Sequence, residues 1–297
     1  LKKGPYGVLF FCAFTGIEEE IKIAKLTLQK LSGMKEQGER ISMVTAYDYS
    51  HAVLVEKAGL EMILVGDSLS MTVLGNMDTI PLTTDEMIHH IKAVVKGASS
   101  PIIVGDMVFG SYNEGSEQAI RTANRMMKEG GCDAVKLEGG RPDVVEALVR
   151  AGIPVQGHLG LTPQTASMLG GFKVQGKDLT AAQSILDSAR ALEEAGAFSI
   201  VLECVPEELA RVITQALSVP TIGIGAGRYC DGQVLVFHDM LGLFDRFKPR
   251  FVKEYADLGS LAVKALEEYR DDVRNGSFPE EAHSFGGISA EDAAKLE

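Results

Sequence analysis

Four short apolar runs in this chain each end in an acid, where hard-cation or proton-transfer chemistry could be built. They are Ile63-Leu64-Val65-Gly66-Asp67-Ser68, Ile102-Ile103-Val104-Gly105-Asp106, Ala134-Val135-Lys136-Leu137-Glu138-Gly139-Gly140 and Ile200-Val201-Leu202-Glu203-Cys204. Strands this apolar are usually buried on both faces, as in a parallel sheet. A carboxylate at the end of such a strand is expensive unless it binds something. Asp67, Asp106 and Glu138 suit Mg2+, which takes oxygen ligands, often one or two carboxylates completed by water and substrate oxygens. Zinc would bring His or Cys, and none cluster with these acids. Each acid alone could instead cap a helix or pair with an Arg. The set, together with Lys136, points to one shared site.

Lys136 and Glu138 are two residues apart, so on a strand they share a face. They could form a simple ion pair, or Lys136 could bind a carboxylate and steady a developing enolate oxygen. Glu203 closes an apolar run, and burial there would raise its pKa, as suits a general base. The alternative is a helix cap before Pro206. His158, in Gly157-His158-Leu159-Gly160, could hydrogen-bond substrate or orient a loop. Ser68 could offer its hydroxyl or N–H to an anion, or cap a turn. His89, His90 and His238 read as structural or solvated.

Strand-like and helix-like stretches alternate through the chain. Strands are expected at 43–47, 62–67, 102–106, 134–138, 155–158, 199–203, 221–224 and 234–237. Helices are expected at 50–58, 85–96, 116–129, 142–151, 181–195 and 207–217, with a closing helix at 258–274. Thr83-Thr84-Asp85-Glu86 offers a helix start, and Gly59, Gly130-Gly131, Gly152 and Gly196 fall where helices should stop. The seventh connection is short and Gly-rich, so its helix is expected to be shortened or displaced. Eight such units fit a single-domain (β/α)8 barrel of the TIM type, whose catalytic groups gather at the C-terminal ends of the strands. An open doubly wound sheet is the alternative. No Gly-x-Gly-x-x-Gly follows the first strand, which weakens a dinucleotide-binding version.

The 297 residues are 45% apolar and 24% charged, enough for one large core. A net charge of −12 argues against nucleic acid as a partner. No apolar run approaches the ~20 residues of a membrane-spanning helix. Cys12, Cys132, Cys204 and Cys230 are scattered, with no Cys-x-x-Cys, and read as reduced thiols of a cytoplasmic protein. Residues 1–24 form an unmatched N-terminal extension. Their Lys2-Lys3 and apolar stretch loosely resemble a secretory signal, but Glu18-Glu19-Glu20 stands where small residues would be wanted. Residues 25–297 are then the barrel and a C-terminal tail.

A set of longer motifs sharpens this reading. Val44-Thr45-Ala46-Tyr47-Asp48-Tyr49-Ser50, Leu64-Val65-Gly66-Asp67-Ser68-Leu69 and Lys136-Leu137-Glu138-Gly139-Gly140 come first. Gly157-His158-Leu159-Gly160-Leu161-Thr162-Pro163-Gln164, Gly170-Gly171-Phe172-Lys173-Val174-Gln175-Gly176 and Leu202-Glu203-Cys204-Val205-Pro206 follow. Ile222-Gly223-Ile224-Gly225-Ala226-Gly227 and Glu281-Ala282-His283-Ser284-Phe285 complete the series. In this order they resemble ketopantoate hydroxymethyltransferase. The resemblance implies a Mg2+-dependent barrel that transfers a one-carbon unit from 5,10-methylenetetrahydrofolate to 3-methyl-2-oxobutanoate. It also implies a homo-oligomer, commonly a decamer. Carried over by motif, Asp67 and Asp106 are metal-site acids, and Glu138 is a ligand or its supporting partner. Ser68 and Lys136 contact the keto acid, and Glu203 is the base. The segment around Asp106 matches less literally. Two rivals differ in kind: a Mg2+-dependent lyase or phosphonomutase on a similar barrel, and a non-catalytic assembly-forming barrel. No Cys-bearing loop suited to carbon–carbon cleavage is evident in the sequence.

Overall fold

The computed structural model describes residues 24–168 and 170–296. The amino-terminal extension expected over 1–24, and Cys12 within it, lie outside the described residues but for Ala24. Eight parallel strands close into a barrel in sequence order: β1 (Ile41–Thr45), β2 (Met62–Val65), β3 (Ile102–Asp106), β4 (Ala134–Glu138), β5 (Val155–Gly160), β6 (Ser199–Glu203), β7 (Thr221–Ile224) and β8 (Gly232–Leu235). The strands β1 and β8 pair from Ile41↔Gly232 to Val44↔Leu235 and complete the ring. This is the (β/α)8 barrel of the sequence reading, and the open sheet is set aside.

Helices cover most of the outer wall. They are α1 (Leu28–Gln37), α2 (Tyr49–Ala58), α3 (Leu69–Thr72), α4 (Thr84–Gly97), α5 (Ser116–Arg125), α6 (Pro142–Arg150), α7 (Leu179–Glu194), α8 (Glu207–Ala216), α9 (Phe237–Met240), α10 (Leu258–Asn275) and α11 (Ala290–Ala293). Their ends carry the expected chemistry. Thr83 and Glu86 form a reciprocal capping box at the start of α4, and Asp48 and Asp178 cap α2 and α7 by accepting from backbone N–H groups. Gly38 and Gly59 close α1 and α2 in the left-handed conformation.

Alternation along the strands makes two apolar layers. Met43, Met62, Leu64, Ile102, Val104, Ala134, Val201, Ile222 and Val234 pack together inside the barrel, and Leu31 and Met34 of α1 join them. Val44, Ile63, Ile103, Val135, Val155, Ile200 and Leu202 point outward and pack with the helices. Asp106, Lys136, Glu138 and Glu203 therefore fall on the inward-facing parity, at the end where each strand finishes.

Several expectations need adjustment. The strands β1 and β8 begin and end two residues earlier than expected, β2 stops at Val65, and β5 runs on to Gly160. Asp67 therefore sits in the turn after its strand. The helix α1 had no counterpart in the sequence reading. No helix separates β7 from β8, as the Gly-rich connection suggested. The closing helix α10 forms with the expected bounds, extended by one residue, yet none of its residues is buried. Leu258, Leu261, Leu266, Tyr269 and Val273, three to five residues apart along it, remain exposed.

Candidate active site

Strand register brings the charged groups together. Asp106 of β3 pairs with Lys136 of β4, and Glu138 of β4 pairs with His158 of β5. Gly160 of β5 pairs with Glu203 of β6. Because all these strands end on the same side, the side chains meet at the barrel mouth. Asp67, Asp106, Lys136, Glu138 and His158 are all buried, while the Glu203 side chain keeps 16% of its surface open.

Lys136 is the hub. Its Nζ lies 2.8 Å from Asp106 Oδ1, 4.0 Å from Glu138 Oε1 and 3.3 Å from His158 Nδ1. Burial opposes its charge, but Asp106, Glu138 and Asp67 outweigh burial and keep it an ammonium. His158 spans two acids, with Nδ1 3.4 Å from Glu138 Oε1 and Nε2 3.2 Å from Glu203 Oε2. Both contacts are ionic rather than aligned hydrogen bonds. Burial and Lys136 oppose protonation of His158, yet the flanking carboxylates lift its pKa to about 9. It is an imidazolium at neutral pH.

The acids divide into two kinds. Burial raises Glu138, but His158 and Lys136 prevail and hold it below the usual carboxylate range. Burial raises Asp67 well above that range, and the nearby charges of Asp106 and Glu138 add to the effect. Asp106 is raised by burial too, only partly offset by Lys136. Two adjacent buried carboxylates that resist ionising together form a natural seat for a cation. Among the described residues, the cationic side chains facing Asp106, Glu138 and Glu203 are Lys136 and His158. Asp106 Oδ1 and Glu138 Oε1 are buried without a hydrogen-bond partner among the described residues. Also among the described residues, no three His, Cys, Asp or Glu side chains form a full metal shell. A cation here would draw on one or two carboxylates and on water or substrate oxygens, as Mg2+ does.

Other residues stand differently from the sequence reading. Glu203 does not cap the helix after Pro206, because α8 starts without a side-chain cap and the carboxylate faces His158. It is also less deeply buried than its strand suggested. Ser68 makes no capping bond; its Oγ instead meets Tyr47 Oη at 2.8 Å. His90 takes the structural role read for it, contacting the Tyr47 carbonyl through Nδ1 at 2.6 Å. Cys204 has φ 46°, the one positive value outside glycine among the described residues, directly after Glu203.

Two buried residues of the site had no assigned part. Gln164 follows β5, and Tyr112 lies in the loop after β3. Gln164 Nε2 donates to Asp67 Oδ2 at 3.0 Å and to the Met107 carbonyl at 2.9 Å. Its backbone N–H donates to Glu138 Oε2 at 3.1 Å, and Tyr112 Oη donates to its Oε1 at 2.7 Å. The only sequence signal was the position of Gln164 at the end of a long motif.

The family model for ketopantoate hydroxymethyltransferase matches residues 25–281. The chain belongs to this family. Curated relatives carry the name 3-methyl-2-oxobutanoate hydroxymethyltransferase. The chain is 60% identical to that of Moorella thermoacetica over 264 residues, covering 88% of this chain and 98% of the relative. It is 61% identical to that of Heliobacterium modesticaldum over 264 residues, covering 88% and 96%. Among solved structures it resembles a phosphonopyruvate hydrolase, with TM-score 0.56, 16% identity and coverage of 91% and 94%. A 2,3-dimethylmalate lyase gives TM-score 0.54, 16% identity and coverage of 90% and 93%. These structural likenesses reflect a common barrel fold. No helix among the described residues is long and apolar enough to cross a membrane.

Proposed function

We propose that this chain transfers a hydroxymethyl group to 3-methyl-2-oxobutanoate, giving 2-dehydropantoate, with 5,10-methylenetetrahydrofolate as the donor and Mg2+ as the resident ion. The observation that carries this is the meeting of Glu203, His158 and Lys136 with three buried acids at the mouth, in a chain of this family. Asp67 and Asp106 would hold the ion, with Glu138 beside them. Once bound, Mg2+ supplies Lewis acidity that polarises the 2-oxo group and makes the C3 proton easier to remove.

The protein's own groups then have defined tasks. Lys136 presents a fixed positive charge to the substrate's carboxylate or to the oxygen that becomes negative as C3 loses its proton. Glu203 takes that proton. His158 keeps the Glu203 carboxylate aimed by placing its ring beside it. Ser68 adds a hydroxyl and backbone N–H at the edge of the site, with its Oγ held by Tyr47. The C3 carbanion equivalent forms a carbon–carbon bond with the donated carbon. Both carbon–nitrogen bonds of the donor methylene break, water supplies the hydroxyl oxygen, and tetrahydrofolate leaves.

Two further readings complete the proposal. The described cysteines are free thiols, which suits a reducing compartment such as the cytoplasm. The exposed apolar stripe of α10 supports assembly with further copies of this chain, the decamer of the family resemblance being the expected form. The base assignment is tested by proton NMR of 3-methyl-2-oxobutanoate in D2O with Mg2+ and enzyme. Wild-type protein exchanges the C3 proton for deuterium, and Glu203→Gln slows that exchange by about 10²-fold or more, with keto-acid binding largely kept. Exchange at the wild-type rate in the variant would remove Glu203 from this role.

A further inference from the structure

We propose that Gln164 is the positioning residue of the cation site. Its side chain fixes which oxygen of Asp67 is left free for the ion, and its backbone does the same for Glu138. The proposal rests on the reading of Asp67 and Asp106 as cation-holding acids.

A shared pattern in the three buried acids supports it. Each has one oxygen bonded to a neutral amide donor. Asp67 Oδ2 accepts from the Gln164 side chain, Glu138 Oε2 from the Gln164 backbone, and Asp106 Oδ2 from the Asp67 backbone at 3.1 Å. Of the opposite oxygens, Asp106 Oδ1 and Glu138 Oε1 face the charged Lys136 and His158, and Asp67 Oδ1 takes no hydrogen bond or ion pair among the described residues. Two of the three amide donors come from Gln164. Such bonds stop a carboxylate from rotating and decide the oxygen it presents.

The residue type matters. An Arg or Lys in this place would neutralise Asp67 and compete with an incoming ion. A carboxamide holds the acid and leaves its negative charge available. The amide can sit only one way round. Nε2 faces two acceptors, Asp67 Oδ2 and the Met107 carbonyl, while Oε1 receives the Tyr112 hydroxyl. Turned over, its oxygen would face both acceptors. Tyr112 Oη also accepts from the Glu138 N–H at 3.3 Å, so the orientation of Gln164 is tied to β4. Gln164 is 2% exposed and reaches Asp67 from 97 residues away. It thereby links the turn after β5 to the ends of β2, β3 and β4.

A purely structural role would anchor the turn after β5 and nothing more. Mn2+ affinity separates the two possibilities, measured by electron paramagnetic resonance on full-length protein without substrate. Wild type, Gln164→Met and Tyr112→Phe are compared, and the Tm of each metal-free protein is recorded alongside. Met keeps the side-chain volume and the backbone N–H but loses the amide. We expect its Mn2+ Kd to rise about 10–100-fold, and that of Tyr112→Phe to rise by less. A lowered Tm with an unchanged Kd in folded Gln164→Met would overturn the proposal. If that variant does not fold, an unchanged Kd in Tyr112→Phe overturns it equally. Wild-type protein that binds no Mn2+ would instead overturn the cation reading itself.

Discussion

His158 places Nε2 3.2 Å from Glu203 Oε2, so an imidazolium stands directly against the proposed base. The other ring nitrogen lies 3.4 Å from Glu138 Oε1. One ring therefore connects the proton-transfer group on β6 with Glu138 on β4. Its charge is what makes a cluster of buried carboxylates tolerable.

That charge should appear in the pH dependence of stability. The folded pKa of His158 is about 9, against an ordinary value of 6.5. The folded state thus binds more protons between these values, and stability must fall as pH rises through them. The contribution is complete below pH 6.5 and gone above about 9. Its size is on the order of 3 kcal/mol. In EDTA-treated protein, denaturant unfolding from pH 6 to 9.5 should show this decline in wild type and a shallower one in His158→Gln. Parallel curves would mean that His158 is neutral in the fold.

The backbone next to Glu203 gives a second expectation. Gly160 pairs with Glu203, has φ +97°, and donates space that no side chain could share: a Cβ there would collide with the Glu203 carbonyl oxygen. Gly160→Ala should therefore cost more than a surface substitution, about 1–3 kcal/mol from strain at a special conformation. It should also lower kcat more than it raises the KM for the keto acid, because the base moves while Lys136 stays. Cys204→Gly should be tolerated, since Gly adopts positive φ freely. Unchanged kcat in Gly160→Ala would separate this contact from the base.

The detached helix α10 leads to a third. Leu261 and Leu266 are exposed at 62% and 66% on an apolar stripe that the chain's own barrel leaves open. Sedimentation velocity should find wild-type protein as an oligomer. Leu261→Glu combined with Leu266→Glu should shift it to smaller species while far-ultraviolet circular dichroism stays unchanged. A monomeric wild-type protein would contradict the assembly reading.

Much of the site could be read in the sequence because strands impose a period of two. Lys136 and Glu138 had to share a face, and apolar runs ending in acids had to finish at one rim once the strands were parallel. Asp67 was read as the last residue of its strand, since Gly66 continues the apolar pattern, but the strand ends at Val65 and Asp67 lies in the turn after it. Gln164 and Tyr112 could not be given parts. Both enter from connections whose course depends on the assembled barrel, and their partners are distant in sequence. The stripe on α10 was legible as an amphipathic helix, but periodicity does not say which surface it meets. Glu203 was expected to be deeply buried because its run is apolar; the mouth of the barrel leaves it partly open.

The most direct test of the proposed reaction is a mass-resolved product assay. Purified protein is mixed with Mg2+, 3-methyl-2-oxobutanoate and 5,10-methylenetetrahydrofolate. Folate-free, EDTA-treated and free-formaldehyde controls run in parallel. The account predicts a hydroxymethylated keto acid that forms only when both the folate and the metal ion are present. Consumption of the keto acid without that product, or product formation at an equal rate without folate or after metal removal, would contradict it.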